Sequence, residues 1–200
     1  MVEFQVNLGG FDITGNMTPL GDPFTFSYLE ESYPSDLTFN EDGTKMYILG
    51  YDKDSVKQYS LSTPFVVNSG VTDDGNALYV GDLEFHGQGL EFSADGQYLY
   101  LLGFHRDRFL QYKLNVPFDL TQGIESVSLN TIMQVMDYQP MGFAFDHTGN
   151  YVYVLGGDTK LYEIYVNDKN DVKTMIFSSD DSIQKRAEKM SEMMKKELIV

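Results

Sequence analysis

Gly43, Gly96 and Gly149 stand 53 residues apart, each at the same point of one motif. The copies read PSDLTFNEDGTKMYILGYDKDSVKQYSL, GQGLEFSADGQYLYLLGFHRDRFLQYKL and QPMGFAFDHTGNYVYVLGGDTKLYEIYV. A fixed period over most of a 200-residue chain constrains the fold more than local propensity does. Each unit must be one supersecondary element that buries its faces against its neighbours.

Each unit opens with a short alternating strand: Leu37 and Phe39 share a face, as do Leu90 and Phe92, and Phe143 and Phe145. A tight turn follows, Glu-Asp-Gly, Ala-Asp-Gly or His-Thr-Gly, in which Gly supplies the positive φ of a hairpin. Next come the apolar runs Lys45–Gly50, Tyr98–Gly103 and Tyr151–Gly156, the pattern of a strand buried on both faces. A polar loop leads to a third strand over Ser55–Leu61, Arg108–Leu114 and Lys160–Val166. A fourth is expected over Ala77–Phe85, Val127–Met136 and Val172–Phe177. Four antiparallel strands on short hairpins describe one β-propeller blade. The expected fold class is therefore all-β, a β-propeller-like repeat of about three and a half blades, with a C-terminal α-helix. The Tyr series Tyr47, Tyr100, Tyr153 and Tyr59, Tyr112, Tyr162 or Tyr165 falls at repeated positions and reads as packing within and between blades.

The run DGTKMYILG…DSVKQYSLSTPF resembles the "DGtkmyvvg…d.vyqYsLstpwdvstas" repeat of propeller-like proteins from marine bacteria and tailed phages. Those are often virion structural or fibre proteins. The resemblance spans roughly residues 34–166. It implies a phage virion component (decoration, tail or fibre-associated), located in the virion after synthesis in the host cytoplasm. The alternative location is the cytoplasm.

The ends are out of phase with the repeat. Gly10-Phe11-Asp12-Ile13-Thr14 matches Pro117-Phe118-Asp119-Leu120-Thr121, which lies late in a blade. Phe4, Val6 and Leu8 alternate as a third strand, and Leu20–Phe26 reads as a fourth. The expected division is a half-blade over 1–33, blades over 34–86, 87–138 and 139–177, and a helix over 178–200. The half-blade of one subunit would complete the C-terminal half-blade of another, giving a homo-oligomeric ring, or else a partner would cap an open array. In both long connections a Pro-Phe pair, Pro64-Phe65 and Pro117-Phe118, is expected to pin the loop by burying the Phe. In the C-terminal segment Ile183, Ala187, Met190, Met194 and Leu198 form an apolar stripe that Met193 widens. It reads as a cap on its own blades or as a docking helix for another subunit.

The net charge is −16. Residues 1–179 hold 25 acidic and 9 basic side chains, so the excess belongs to the repeat region. Such a field disfavours nucleic acid, whose phosphates need clustered Lys and Arg. No run approaches the ~18 apolar residues of a membrane span, and MVEFQVNL lacks the basic start and apolar core of a signal peptide. Without cysteine no disulfide, thiolate metal site or thiol nucleophile exists.

No nucleophile elbow, phosphate-cradling Gly loop or His-Glu-x-x-His pair occurs. His86, His105 and His147 fall at non-equivalent repeat positions and are not expected to converge on a metal. A lactonase-like hydrolase would need a convergent Glu/Asn/Asp metal cluster, which the repeats do not show. The chain is therefore expected to be no enzyme, with no cofactor and no metal. Asp52 and Asp54 form only a loose calcium pair. The expected role is structural, with other copies or other virion proteins as partners. The alternative is a glycan- or ligand-binding module on the loop face, with Tyr51, Asp52, His105, Arg106, Asp107 and Tyr138 as candidate residues. There stacking and charge-assisted hydrogen bonds would hold a sugar.

Overall fold

The computed structural model of the chain describes residues 21–25, 33–130, 139–166 and 172–175. Twelve strands are found there: β1 Pro34–Phe39, β2 Lys45–Gly50, β3 Ser55–Leu61, β4 Val71–Tyr79, β5 Gly87–Phe92, β6 Tyr98–Gly103, β7 Phe109–Leu114, β8 Ile124–Asn130, β9 Pro140–Phe145, β10 Tyr151–Gly156, β11 Leu161–Val166 and β12 Val172–Met175. They form three four-stranded antiparallel sheets, β1-β2-β3-β4, β5-β6-β7-β8 and β9-β10-β11-β12. The first strands adjoin in series, β1 beside β5 and β5 beside β9. These are propeller-like blades in sequence order. The third sheet has four strands of its own, so it is not the half-blade that a second subunit was expected to complete.

Each blade is held at one end by its turn glycine. Gly43, Gly96 and Gly149 have φ of 71°, 69° and 71°, a region that costs an L-residue about 1–2 kcal/mol. Their N–H groups donate to Asn40, Ser93 and Asp146 carbonyls at 3.1, 2.8 and 3.1 Å. Beside them Asp42, Asp95 and Asp146 accept from Thr44, Gln97 and Thr148 backbone N–H groups at 2.9, 3.0 and 3.2 Å. This is local Asx chemistry.

The Pro-Phe connections fold back onto these turns. The Phe65 and Phe118 N–H groups donate to Gly43 and Gly96 carbonyls at 2.9 and 3.0 Å. Each ring lies where a Cβ on the glycine would be. Phe118 is half-buried against Phe92, but Phe65 is 57% exposed, so burial of the ring is not what pins the first loop. The backbone bond and the glycine surface do that.

Side chains alternate between a leading face, toward the preceding blade, and a trailing face, toward the next. Tyr47, Leu49 and Val56 on the trailing face of blade one pack with Leu90, Phe92, Leu99, Leu101, Leu110 and Tyr112 of blade two. Leu102 packs with Val152, Val154, Tyr162 and Ile164 of blade three. Burying each such side chain contributes about 1.5–3 kcal/mol.

Several expected boundaries move. The fourth strand of blade one is Val71–Tyr79 rather than Ala77–Phe85, and that of blade two begins at Ile124 rather than Val127, its expected end at Met136 lying outside the described residues. Polar Thr72 and Asp73 pair with Ser60 and Tyr59 of β3, and Lys57 bridges Asp73 at 2.8 Å. Residues 21–25 form no strand: Gly21 has φ of 77°, and Pro23 has no N–H to give a ladder. Phe24 nevertheless packs edge-on against Tyr59 at 5.4 Å, on the leading face of blade one. The expected helix over 178–200, with Ile183, Ala187, Met190, Met193, Met194 and Leu198, lies outside the described residues, as does the rest of the N-terminal segment.

Candidate functional site

At the end of the blades opposite the turns, two sets of loops meet. The first set joins second to third strands, and the second set joins one blade to the next. The same staple recurs at each blade. The N–H groups of Tyr51, Phe104 and Gly157 donate to the carbonyls of Tyr33, His86 and Gln139 at 2.8, 3.1 and 3.0 Å. The carboxylates of Asp54 and Asp107 accept from the N–H groups of His86 and Gln139 at 2.8 and 3.2 Å. All four residues of these two side-chain staples have positive φ, a conformation that surrounding structure must hold in place.

Glu84 anchors the middle of this face. It is fully buried. Its Oε1 accepts from the backbone N–H groups of Phe85, His105 and Arg106 at 2.9, 3.2 and 2.7 Å, and Oε2 from that of Arg108 at 3.0 Å. A Cβ on Gly103 would overlap the Glu84 side chain, which explains the glycine ending β6. Four backbone donors satisfy a carboxylate that would otherwise be costly to bury.

The candidate ligand residues divide between frame and surface. Arg106 lies over the Phe85 ring at 4.3 Å and donates to the Asp82 carbonyl at 2.6 Å. It is thus part of the frame, as is Asp107. Tyr51 stacks on His86 at 4.1 Å and 7°, and with Asp52 lines a cleft of about 290 Å³ with Tyr33, Pro34 and Ser35. His105 is exposed beside Phe85. Tyr138 lies outside the described residues. The His86 and His105 ring centroids lie 6.0 Å apart. Non-equivalent positions meet because an inter-blade connection lies against the β6–β7 loop. Among the described residues, no three of His, Asp and Glu gather as a cation site, and Asp54 is turned to the His86 N–H. No helix among them is long and apolar enough to cross a membrane.

Sequence reasoning missed a second feature, on the turn end. A groove of about 660 Å³ runs between blades two and three, lined by Glu91, Tyr98, Tyr100, Phe145, His147 and Gly149 among others. Burial holds the Glu91 carboxyl above its ordinary value, with a Phe145 N–H partly opposing and Asp36 adding to the shift. Burial also pushes the Tyr100 hydroxyl up to about 12. The signal was present in the spacing, since Tyr100 and Phe145 repeat Tyr47 and Phe92.

Solved structures share this fold. The periplasmic gluconolactonase of Pseudomonas aeruginosa superposes with a TM-score of 0.54 at 21% identity, over 71% of this chain and 38% of its own. Putative 6-phosphogluconolactonases from Bacteroides fragilis and Bacteroides uniformis give 0.52 and 0.51 at 19% and 17% identity. These cover 71% and 74% of this chain and 37% and 39% of theirs. The chain therefore spans well under half the length of these neighbours. No protein-family model and no curated protein matches it. The expectation of no enzyme is corrected: the structures this chain is similar to include a gluconolactonase and putative 6-phosphogluconolactonases. Four-stranded blades without a recognisable motif do not exclude catalysis, because activity in such folds is grafted onto loops.

Proposed function

We propose that the chain is an assembly component whose ring is continued by a second copy. The observation that carries this reading is one series of leucines. Leu49 and Leu102 occupy the same place in β2 and β6, and both are fully buried against the next blade. Leu155 is their counterpart in β10 and is 53% exposed. The opposite partner behaves the same way: Leu90 on the leading side of blade two is buried, and its counterpart Leu37 in blade one is 56% exposed. Leu161 and Phe65 add to the two open flanks. A head-to-tail contact setting Leu155 against Leu37 repeats the internal blade junction. Two copies bring six four-stranded blades together, within the ~4–8 of propellers. The repeat resemblance supports a virion as the setting, with other virion proteins as further partners.

Native mass against concentration tests this. An oligomer that Leu155→Asp converts to a monomer of unchanged circular dichroism is expected. A wild-type monomer at all concentrations removes the reading.

The stacked Tyr51–His86 pair beside the 290 Å³ cleft favours a second reading, a glycan or other small ligand held on the loop face. Binding on a glycan array that Tyr51→Ala abolishes would support it, and a blank array would remove it.

A further inference from the structure

The two grooves at the turn end have the same walls. Between blades one and two stand Tyr47, Gln58, Phe92 and Gly96. Between blades two and three stand Tyr100, Gln111, Phe145 and Gly149, each one repeat later. The geometry repeats too: Tyr47 and Phe92 rings are 4.6 Å apart, and Tyr100 and Phe145 rings 4.5 Å. Tyr47 faces Gln58 across β2–β3, and Tyr100 faces Gln111 across β6–β7.

The first groove is filled by the segment Pro117-Phe118-Asp119-Leu120-Thr121. The Phe118 ring covers Gly96. The Tyr47 hydroxyl donates to the Phe118 carbonyl. The Gln58 side-chain oxygen accepts from the Leu120 N–H at 2.8 Å. Asp119 caps the turn by accepting from the Thr121 N–H at 3.0 Å. The third blade cannot repeat this from its own connection. Where blade two has nine residues between its last two strands, blade three has only Asn167-Asp168-Lys169-Asn170-Asp171, with no aromatic ring. Among the described residues nothing lies within 4 Å of a Cβ placed on Gly149.

The chain carries one further copy of the filling motif, Gly10-Phe11-Asp12-Ile13-Thr14. We infer that this segment of the same chain crosses the turn end and fills the second groove. In this match Phe11 is the counterpart of Phe118, Asp12 of Asp119, Ile13 of Leu120 and Thr14 of Thr121, and the groove offers Gly149, Tyr100 and Gln111 where the first offers Gly96, Tyr47 and Gln58. The position of the following residues makes this reachable. Gly21 lies against Asn68 in the first blade's turn-end connection. Ten residues span up to about 33 Å, and packed sheets are only about 10 Å apart. Tethering also gives the segment an effective concentration in the millimolar range. One wall differs: Lys45, which pairs with Asp119 at 3.0 Å, is replaced by Tyr98, so the second filling lacks that ion pair. The inference stands apart from the assembly reading, since it concerns contacts within one chain.

Photocrosslinking of the full chain with p-benzoylphenylalanine in place of Phe11 tests it. Adducts on residues 91–100 or 145–149, in a species of single-chain mass, are expected. Gln111→Ala should lower their yield several-fold. Adducts in a two-chain species would overturn the same-chain assignment, and adducts confined to other surfaces would overturn the docking site. The cross-link readout keeps the two proposals distinct, because a monomeric protein can still give the expected adducts.

Discussion

The junction between blades one and two and the junction between blades two and three use one plan with different finishes. In the first, Tyr47 and Gln58 are buried, and a Pro-Phe connection closes the groove above them. In the second, Tyr100 and Gln111 stay half-exposed and the blade's own connection is too short to reach. The repeat fixes the walls, because strand register and blade packing follow from alternating side chains. It does not fix the filling, which depends on connection length and on one aromatic residue.

The largest expected contrast lies in the leucine series. Leu102→Ala should cost about 4 kcal/mol by leaving a cavity in a dry interface. Leu155→Ala should cost under about 0.5 kcal/mol in the monomer while weakening association. Urea denaturation of both at a concentration that keeps the chain monomeric makes the comparison. Equal costs would mean that the trailing face of blade three is already covered within one chain.

Next comes the link between the first two blades. Glu84→Ala leaves four backbone donors without their acceptor and should cost about 3 kcal/mol. Hydrogen exchange at Phe85, His105, Arg106 and Arg108 should accelerate while the turn end stays protected.

A smaller contrast sits at the turns. Gly96→Ala meets both a positive φ and the Phe118 ring, and should cost about 2–3 kcal/mol. In a Phe11→Ala background, Gly149→Ala should cost only the conformational part, about 1 kcal/mol. A double-mutant cycle between positions 11 and 149 reads out the filling of the second groove.

The smallest effect is in pH dependence, and its sign differs between the junctions. Asp119 is pushed up by burial, but hydrogen bonds from Thr121 and Lys45 outweigh this and hold it below its ordinary value. Its stabilisation is present above the unfolded value and is lost as pH falls through the folded one. Glu91 is held above its ordinary value, so the folded protein loses stability as pH rises through the unfolded value to the folded one. Glu91→Gln should therefore raise Tm at pH 7, with the gain vanishing below about pH 4. Thermal melts across pH 3–7 check both.

Much of this architecture was legible in the sequence. The glycine period set the blades, and the strands Lys45–Gly50, Tyr98–Gly103 and Tyr151–Gly156 fall where unbroken apolar runs end at Leu-Gly. Fourth strands were harder to place, since Thr72-Asp73-Asp74 reads as loop until the Lys57–Asp73 ion pair is found. The loop face was legible in its residue types but not in their roles. Arg106 and Asp107 look like ligand-binding groups and act as struts, while Glu84, at the end of an apparent strand, was not singled out. Its partners are backbone N–H groups, which leave no trace in sequence. The groove between blades two and three follows from a missing aromatic, visible only once the first junction shows what the aromatic does.

The way Glu84 is held has a consequence for how this surface can change over generations. Its four donors are peptide groups, which every residue but proline supplies. The exposed side chain at 105 can therefore be exchanged while the carboxylate keeps its anchorage, whereas Arg106 and Arg108 are also held through their own side chains by the Asp82 and Leu83 carbonyls. The loop is positioned by one buried carboxylate acting on the backbone, so new surface chemistry can be tried at its exposed position 105 without renegotiating the fold beneath it.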